Sequence, residues 1–564
     1  MVLLDWLVVG LFCIALIGII VWVMRQKQNN AEDYFLGGKD ATWIAIGASI
    51  FASNIGSEHL IGLAGSGASS GMAMAHWEIQ GWMILILGWV FVPFYSRSMV
   101  ITMPEFLERR YNSQSRTILS LISLISYVLT KVAVTVYAGG LVFQQVFGID
   151  TLWGIDFFWI AAIGLVLMTA LYTIFGGMKS VLYTSVLQTP ILLLGSLIIL
   201  VLGFKELGGW DEMMRVCGAV TVNDYGDTMT NLIRSNDDAN FPWLGALIGS
   251  AIIGFWYWCT DQFIVQRVLS GKNEKEARRG TIFGAYLKLL PVFLFLIPGM
   301  IAFALHQKYI GAGGEGFLPM LANGTANADA AFPTLVAKLL PAGVKGLVVC
   351  GILAALMSSL ASLFNSSAML FTIDFYKRFR PETPEKKLVG IGQIATVVIV
   401  ILGILWIPIM RSVGDVLYTY LQDVQSVLAP GIAAAFLLGI CWKRTSAQGG
   451  MWGLIAGMII GLTRLGAKVY YSNAGEVADS TFKYLFYDMN WLFFCGWMFL
   501  FCIIVVIVVS LATEAPTAEK IQGLVFGTAT KEQKAATRAS WDHWDIIHTV
   551  IILAITGAFY WYFW

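Results

Sequence analysis

The sequence predicts an all-α integral membrane protein of about fourteen transmembrane helices, ten of which form a 5+5 inverted repeat. The first observation is composition: 58% of the 564 residues are hydrophobic and only 13% are charged. A chain of this length with so few charges is expected to bury its apolar surface in lipid. The second observation is the number of long apolar segments, and the third is their grouping into two blocks of five.

About fourteen segments reach the roughly 20 apolar residues that a spanning helix needs. They are apolar on all sides, whereas the helices of a water-soluble bundle would be amphipathic. No signal-peptide cleavage pattern follows the first segment, so it is expected to remain a membrane span. The predicted spans are 3–24, 41–67, 74–96, 115–147, 154–174, 179–203, 241–269, 279–305, 341–375, 386–410, 413–440, 447–467, 489–512 and 544–562.

The distribution of lysine and arginine predicts the orientation. With the N-terminus outside, most of these residues fall in the inside loops, as the positive-inside rule requires. An even number of spans then places both termini outside. The net charge of +1 leaves no basic field for nucleic acid, so the expected surroundings are the lipid bilayer.

The segments 41–203 and 241–440 each hold about five spans. Because five is odd, two such consecutive blocks insert with opposite topology, as in inverted-repeat transporters that bind substrate at broken helices near the midplane. We expect helix breaks near 52–56 and 422–431. The remaining parts are predicted to be an N-terminal extra helix and loop (1–40), an external loop (204–240) and C-terminal extra helices (441–564).

A polar run from Ser53 to His59 lies inside an apolar span. Polar groups at membrane depth have no water to bond, so this run is expected to line a cavity or bind a ligand. A second span carries two adjacent hydroxyls, Ser358 and Ser359. Together, a broken helix and two hydroxyls would form an oxygen cage for a hard cation. This pairing indicates an ion-coupled transporter.

Several motifs resemble the sodium/solute symporter family, most closely its sodium/glucose cotransporter branch. The run YTIFGGMKS at 172–180 resembles a signature of the family. The motifs that resemble the glucose branch are ASNIGSEH at 52–59, WYWCTDQ at 256–262, QR at 266–267, YLKLLP at 286–291, SSLASLFNS at 358–366 and FLL at 436–438. They run in order along nearly the whole chain. The resemblance implies the LeuT-type inverted-repeat fold.

The resemblance also implies a sodium site between the unwound first helix of repeat one and the third helix of repeat two. The implied ligands are the backbone carbonyls of Ala52, Ile55 and Ala355 and the hydroxyls of Ser358 and Ser359. Sodium prefers oxygen ligands, and an unwound backbone supplies free carbonyls. The alternative is that these small residues simply permit close helix packing.

By the same resemblance, a sugar site would be built from polar and aromatic side chains within the spans. Its hydrogen-bonding residues would be Asn54, His59, Glu78, Lys288 and Gln422, with Tyr257 closing over the sugar ring and Trp258 beside it. The alternatives are a structural ion pair between the buried acid and lysine, a satisfied core histidine, and ordinary packing of the two aromatic rings.

Three charged residues within spans receive no substrate role. Lys131 is expected to have a structural partner, and Asp261 and Arg267 to take part in a gating or structural salt bridge.

The chain also departs from the family pattern. Ser185 stands where relatives carry aspartate, and Ala361 stands where relatives with a second sodium carry a hydroxyl, so we expect one sodium. Gln425, two residues after Asp423, stands where the family often has threonine, which leaves the exact sugar open.

The sequence as a whole predicts a sodium-coupled symporter that imports a glucose- or galactose-like monosaccharide by alternating access. Sodium is the expected co-transported ion, and no enzymatic motif is found. The alternatives are a sodium symporter for inositol, sialic acid, an amino acid or a vitamin, and a sugar sensor or channel that does not accumulate substrate. The expected location is the cell membrane, in a bacterial inner membrane, because paired outer cysteines and long extensions are lacking.

Overall fold

The computed structural model describes residues 1–26, 30–56, 58–321, 324–411, 417–473 and 478–564; the side chains of 129–130, 406, 409–411, 417–421 and 472–473 are not described. Ser57 of the polar run and the first residues of the predicted span 413–440 therefore lie outside the described part. In that part the chain is almost entirely helical. Its strands are one short antiparallel hairpin, β1 (Thr151–Leu152) and β2 (Ile155–Asp156).

The helices of the first half are α1 (Leu3–Met24), α2 (Ala31–Leu36), α3 (Trp43–Asn54), α4 (Ala64–Ser70), α5 (Ala75–Glu78), α6 (Gly81–Ile86), α7 (Val92–Ser98), α8 (Met103–Arg110), α9 (Ser113–Ser126), α10 (Ala133–Phe147), α11 (Phe157–Leu207) and α12 (Trp210–Gly218). Those of the second half are α13 (Trp243–Gly254), α14 (Gln262–Leu269), α15 (Glu274–Lys288), α16 (Ile297–Gly311), α17 (Ala331–Leu339), α18 (Val344–Met369), α19 (Lys377–Phe379), α20 (Glu385–Arg411), α21 (Leu417–Cys441), α22 (Ala447–Asn473), α23 (Thr481–Lys483), α24 (Trp491–Ala512), α25 (Ala518–Ile521), α26 (Lys531–Ala539) and α27 (His543–Tyr562). Wider π-helical turns extend many of them, at Glu58–Leu63, Leu87–Phe91, Tyr127–Val132, Phe255–Thr260, Val292–Leu296, Leu370–Tyr376 and Tyr484–Asp488; tighter 3-10 turns lie at Gly37–Lys39, Gly71–Met74 and Ala328–Ala330.

Eleven helical stretches in the described residues are long and apolar enough to cross a membrane, which makes this a multi-pass membrane protein. One of them, Phe157–Leu207, covers two of the predicted spans. Its path breaks at Gly177, whose φ of 53° and ψ of −149° are not helical. A Cβ there would lie 2.3 Å from the Tyr34 carbonyl oxygen, so only glycine fits this corner.

The predicted break near 52–56 is confirmed. Helix α3 ends at Asn54, Ile55 is extended with φ −83° and ψ 110°, and helical structure resumes at Glu58. The last four carbonyls of a helix have no intrahelical partner. The end of α3 therefore presents backbone oxygens inside the protein, as the polar run suggested.

The second predicted break, near 422–431, is wrong. Helix α21 runs without interruption through Pro430, and a Cβ on Gly431 would lie 3.0 Å from the Cα of Gly457 on α22. The glycine thus serves close packing of two helices. The break lies instead at Asp261, where an extended residue (φ −77°, ψ 127°) separates the turn Phe255–Thr260 from α14.

The most deeply buried helix is α18, which packs against α11 and α3. In the most apolar part of Val344–Phe379, 89% of the residues are buried, compared with 17% for α1 and 22% for α27. The terminal helices therefore lie at the periphery with apolar sides exposed, while α18 lies in the interior and packs against α3 and one side of α11.

Candidate functional site

A cavity lies beside the broken end of α3, between α5, the turn before α14, α15 and α21. All seven residues predicted to bind substrate line it, although they are distributed over more than 350 positions of sequence. The lining residues are Asn54, Glu58, His59, Trp77, Glu78, Gln80, Ile253, Gly254, Tyr257, Trp258, Lys288, Gln422 and Gln425.

Two opposite charges in this cavity, those of Glu78 and Lys288, are paired with each other. Lys288 Nζ donates to Glu78 Oε2 at 2.6 Å, and His59 Nε2 lies 3.3 Å from the same oxygen. Glu78 is 1% exposed and Lys288 is 3% exposed. Asn54 Nδ2 lies 3.4 Å from His59 Nε2, which brings the broken helix into the same network. The ion pair that was held as an alternative to a sugar site is therefore present, and it lies on the cavity wall.

The aromatic wall is ordered by amide hydrogen bonds. Trp258 Nε1–H donates to Gln80 Oε1 at 3.3 Å, and Gln80 Nε2 donates to the Ser250 carbonyl at 2.8 Å. The Tyr257 ring meets the Trp258 ring edge-on, with centroids 4.9 Å apart. Tyr257 and Trp258 are thus held at the cavity, and the indole N–H of Trp258 is already bonded to Gln80.

The sequence did not assign a role to four polar residues that line this cavity: Glu58, Trp77, Gln80 and Gln425. Trp77 directly precedes Glu78 on α5, and Gln80 follows Glu78 by two positions, just before α6 begins. The closeness of Trp77 and Gln80 to the intramembrane acid Glu78 could have identified them. Residues next to a cavity-lining residue on a tight turn often line the same cavity.

The residues of the expected sodium site lie at the contact of α3, α11 and α18, and all are buried. Ser358 Oγ lies 3.3 Å from Ser185 Oγ on α11. Ser359 lines a second, smaller cavity together with Glu58, Tyr257 and Gln425. The Oγ atoms of Ser53 and Ser362 are 2.6 Å apart, so α18 contacts the end of α3 about one turn from Ser358 and Ser359. Ala52 and Ile55 lie at this end of α3, and Ala355 lies one turn from the two hydroxyls along α18. The described residues contain no cluster of three His, Cys, Asp or Glu side chains suited to a transition metal.

Three further buried charges, those of Lys131, Asp261 and Arg267, have partners outside this cavity. Lys131 Nζ pairs with Asp261 Oδ2 at 2.7 Å, and the ammonium lies 4.7 Å from the Tyr257 ring centroid. Lys131 thus has the structural partner that was expected. Arg267 Nε donates to Ser53 Oγ at 3.0 Å. In the structure Asp261 is paired with Lys131.

The chain is similar to known transporters along most of its length. A sequence model of the sodium:solute symporter family matches residues 34–457. The human protein named sodium/myo-inositol cotransporter 2 is 36% identical over 538 residues, covering 93% of this chain and 79% of its own. The canine sodium/myo-inositol cotransporter is 37% identical over 546 residues, covering 93% and 75%.

A solved structure, described as the substrate-bound outward-open state of a Na⁺-coupled sialic acid symporter, superposes with a TM-score of 0.72. It covers 92% of this chain and 99% of that one at 21% sequence identity. At this identity the likeness shows a common fold.

Proposed function

This chain belongs to the sodium:solute symporter family and couples solute transport to sodium, and we propose that its solute is a neutral cyclic polyol of the myo-inositol type. The observation that supports this most is the cavity at the broken end of α3, in which every charged group of the predicted substrate set is already paired.

A charged solute would need an oppositely charged partner in the cavity. Lys288 is the fixed cation on the wall, and its ammonium is committed to Glu78 at 2.6 Å. Moving it to a solute carboxylate would leave Glu78 as a buried charge without that partner, which is strongly unfavourable. A neutral ring of hydroxyls can instead bond to the pair without breaking it. The cavity therefore suits a polyol or sugar better than an amino acid or sialic acid.

The choice between myo-inositol and a hexose rests on the similar proteins. The glucose-like monosaccharide expected from the motifs and the inositol kept as an alternative both present hydroxyls and a flat apolar face. The human and canine proteins are named for myo-inositol, and they align over 93% of this chain. We therefore place myo-inositol first and a hexose second, with Tyr257 and Trp258 stacking against the ring in either case.

The proposed sodium site is formed by the carbonyls of Ala52, Ile55 and Ala355 and the hydroxyls of Ser358 and Ser359. The end of α3 supplies carbonyls without intrahelical partners, and buried oxygens suit a hard cation. One sodium per solute is proposed.

The proposed architecture is the LeuT-type 5+5 inverted repeat within about fourteen helices, with repeats at 41–203 and 241–440. The support is a matched pair of breaks: Ile55 interrupts the first helix of one block, and Asp261 interrupts the first helix of the other. The extra segments would be 1–40 and 441–564, and 204–240 the external loop. Alternating access would then move one block against the other, in a bacterial inner membrane with both termini outside.

The test is uptake of radiolabelled myo-inositol, glucose, galactose and sialic acid into proteoliposomes, with and without an inward sodium gradient. We expect sodium-driven accumulation of myo-inositol above its external concentration, weaker accumulation of hexoses and none of sialic acid. Equilibration without accumulation would indicate a channel or sensor. Accumulation of sialic acid would refute the argument from paired charges.

A further inference from the structure

The buried side-chain atoms that line the cavity and lack a hydrogen-bond partner include Trp77 Nε1 and Gln422 Oε1. Both side chains are more than nine-tenths buried, with 4% of Trp77 and 7% of Gln422 exposed. One atom is an obligate donor and the other an acceptor. In contrast, the indole N–H of Trp258, which lines the same cavity, is satisfied by Gln80.

The turn that carries Trp77 is fixed on several sides. The neighbouring His76 makes hydrogen bonds of 3.0 Å with both the Leu232 carbonyl and the Tyr560 hydroxyl. The Trp77 ring stacks on Trp491 of α24, with centroids 5.4 Å apart and planes 26° apart. The indole is therefore held in place before any ligand enters, which lowers the entropic cost of using its N–H for recognition.

Buried polar atoms in folded proteins are nearly always hydrogen-bonded, and an exception calls for a ligand or an ordered water. A site built to bond a hydroxyl also rejects an analogue that lacks it, because the protein group is then left without a partner. An unpaired donor and an unpaired acceptor in the lining of one cavity match a hydroxylated ring, whose hydroxyls can both accept and donate.

We propose that the Trp77 indole N–H donates to one hydroxyl oxygen of the transported polyol, while Gln422 Oε1 accepts from a hydroxyl. Trp77 is then a specificity-determining residue that recognises a single ring position. This inference rests on the proposed function, since it assumes that a neutral polyol occupies the cavity.

The experiment is calorimetric titration, in saturating sodium, of myo-inositol and each of its monodeoxy analogues into the full-length protein. The variant is Trp77→Phe, which keeps an aromatic ring and removes the donor. Substitution of Trp77 by benzothienylalanine keeps the bicyclic shape and also removes the N–H. A loss of about 2- to 13-fold in myo-inositol affinity is expected for a neutral hydrogen bond. One deoxy analogue should bind the wild-type protein more weakly than myo-inositol does. The same analogue and myo-inositol should bind each Trp77 variant with equal affinity.

The matched control is Trp258→Phe, which removes an indole N–H that Gln80 already satisfies. This variant should lower the binding affinity for myo-inositol and for all its deoxy analogues by the same factor. A uniform loss in both Trp77 variants would mean that Trp77 only packs, and unchanged affinity would mean that water satisfies its N–H; either result overturns the assignment. Absence of polyol binding by the wild-type protein would overturn the proposed function itself.

Discussion

The pair formed by Glu78 and Lys288 allows stability and recognition to be separated by mutation. The two charges are 2.6 Å apart and almost completely buried. At an effective dielectric constant of about 20, their Coulomb attraction is about 6 kcal/mol. Much of this is offset by the cost of removing both charges from water, so the informative comparison is between single and double variants.

Either Glu78→Gln or Lys288→Met leaves one buried charge without its partner, and we expect a loss of about 3–5 kcal/mol in stability. The double variant removes both charges and should recover most of that stability. Polyol affinity should not recover with it. A hydrogen bond to a charged group contributes about 1.5–3 kcal/mol, so all three variants should bind myo-inositol about 13- to 160-fold more weakly.

The assay combines thermal unfolding in detergent with calorimetric titration of myo-inositol in saturating sodium. The control is a second buried ion pair, Lys131 with Asp261, at 2.7 Å. Lys131→Met should cost similar stability, yet it should change polyol affinity less, because neither member lines the proposed substrate cavity. If the Glu78→Gln, Lys288→Met double variant regained both stability and affinity, the pair would be purely structural and the substrate would bind elsewhere.

Three further predictions concern sodium and the fold. Ser359→Ala should abolish sodium activation of uptake, measured by counterflow in liposomes, whereas Ser359→Thr, which keeps the hydroxyl, should retain it; normal activation in the alanine variant would exclude the proposed site. Reversal-potential measurements should give one sodium per solute, because Ser185 brings no carboxylate to offset a second buried cation; a ratio near two would refute this. Gly177→Ala should lower the thermal unfolding temperature by several degrees, because Gly177 has a φ of 53° and a Cβ there would lie 2.3 Å from the Tyr34 carbonyl oxygen. Gly164→Ala, with open space around its Cβ, should leave the unfolding temperature unchanged. Equal unfolding temperatures of the two variants would contradict the argument from strain at Gly177.

The sequence could predict the membrane class, most spans and the first break, because long apolar segments are stable in lipid and a polar run at membrane depth must line a cavity. The second break was misplaced for a physical reason. Pro430 was expected to break its helix, yet helices within a membrane bundle tolerate proline when neighbouring groups satisfy the freed backbone. The true break at Asp261 had no proline to mark it, and its carboxylate caps α14 by accepting from the Phe263 N–H at 3.2 Å.

The residues that line the cavity could be predicted because isolated polar side chains in apolar spans are rare, and because the sequence motifs included the others. Their binding of substrate stays a prediction. Their pairing could not be predicted, since it depends on how α5 and α15 pack. Trp77 was missed for a related reason: a tryptophan in an apolar span is usually packing. Only the unpaired state of its N–H in the folded protein distinguishes it.

The central claim is that sodium and polyol bind on either side of one broken helix and so bind cooperatively. The most direct measurement is calorimetric titration of myo-inositol at low and at saturating sodium, in wild type and in Ser359→Ala. We expect sodium to tighten polyol binding in the wild-type protein, and the polyol to tighten sodium binding by the same factor. The Ser359→Ala variant should lose both effects. Polyol binding of equal affinity with and without sodium would contradict it.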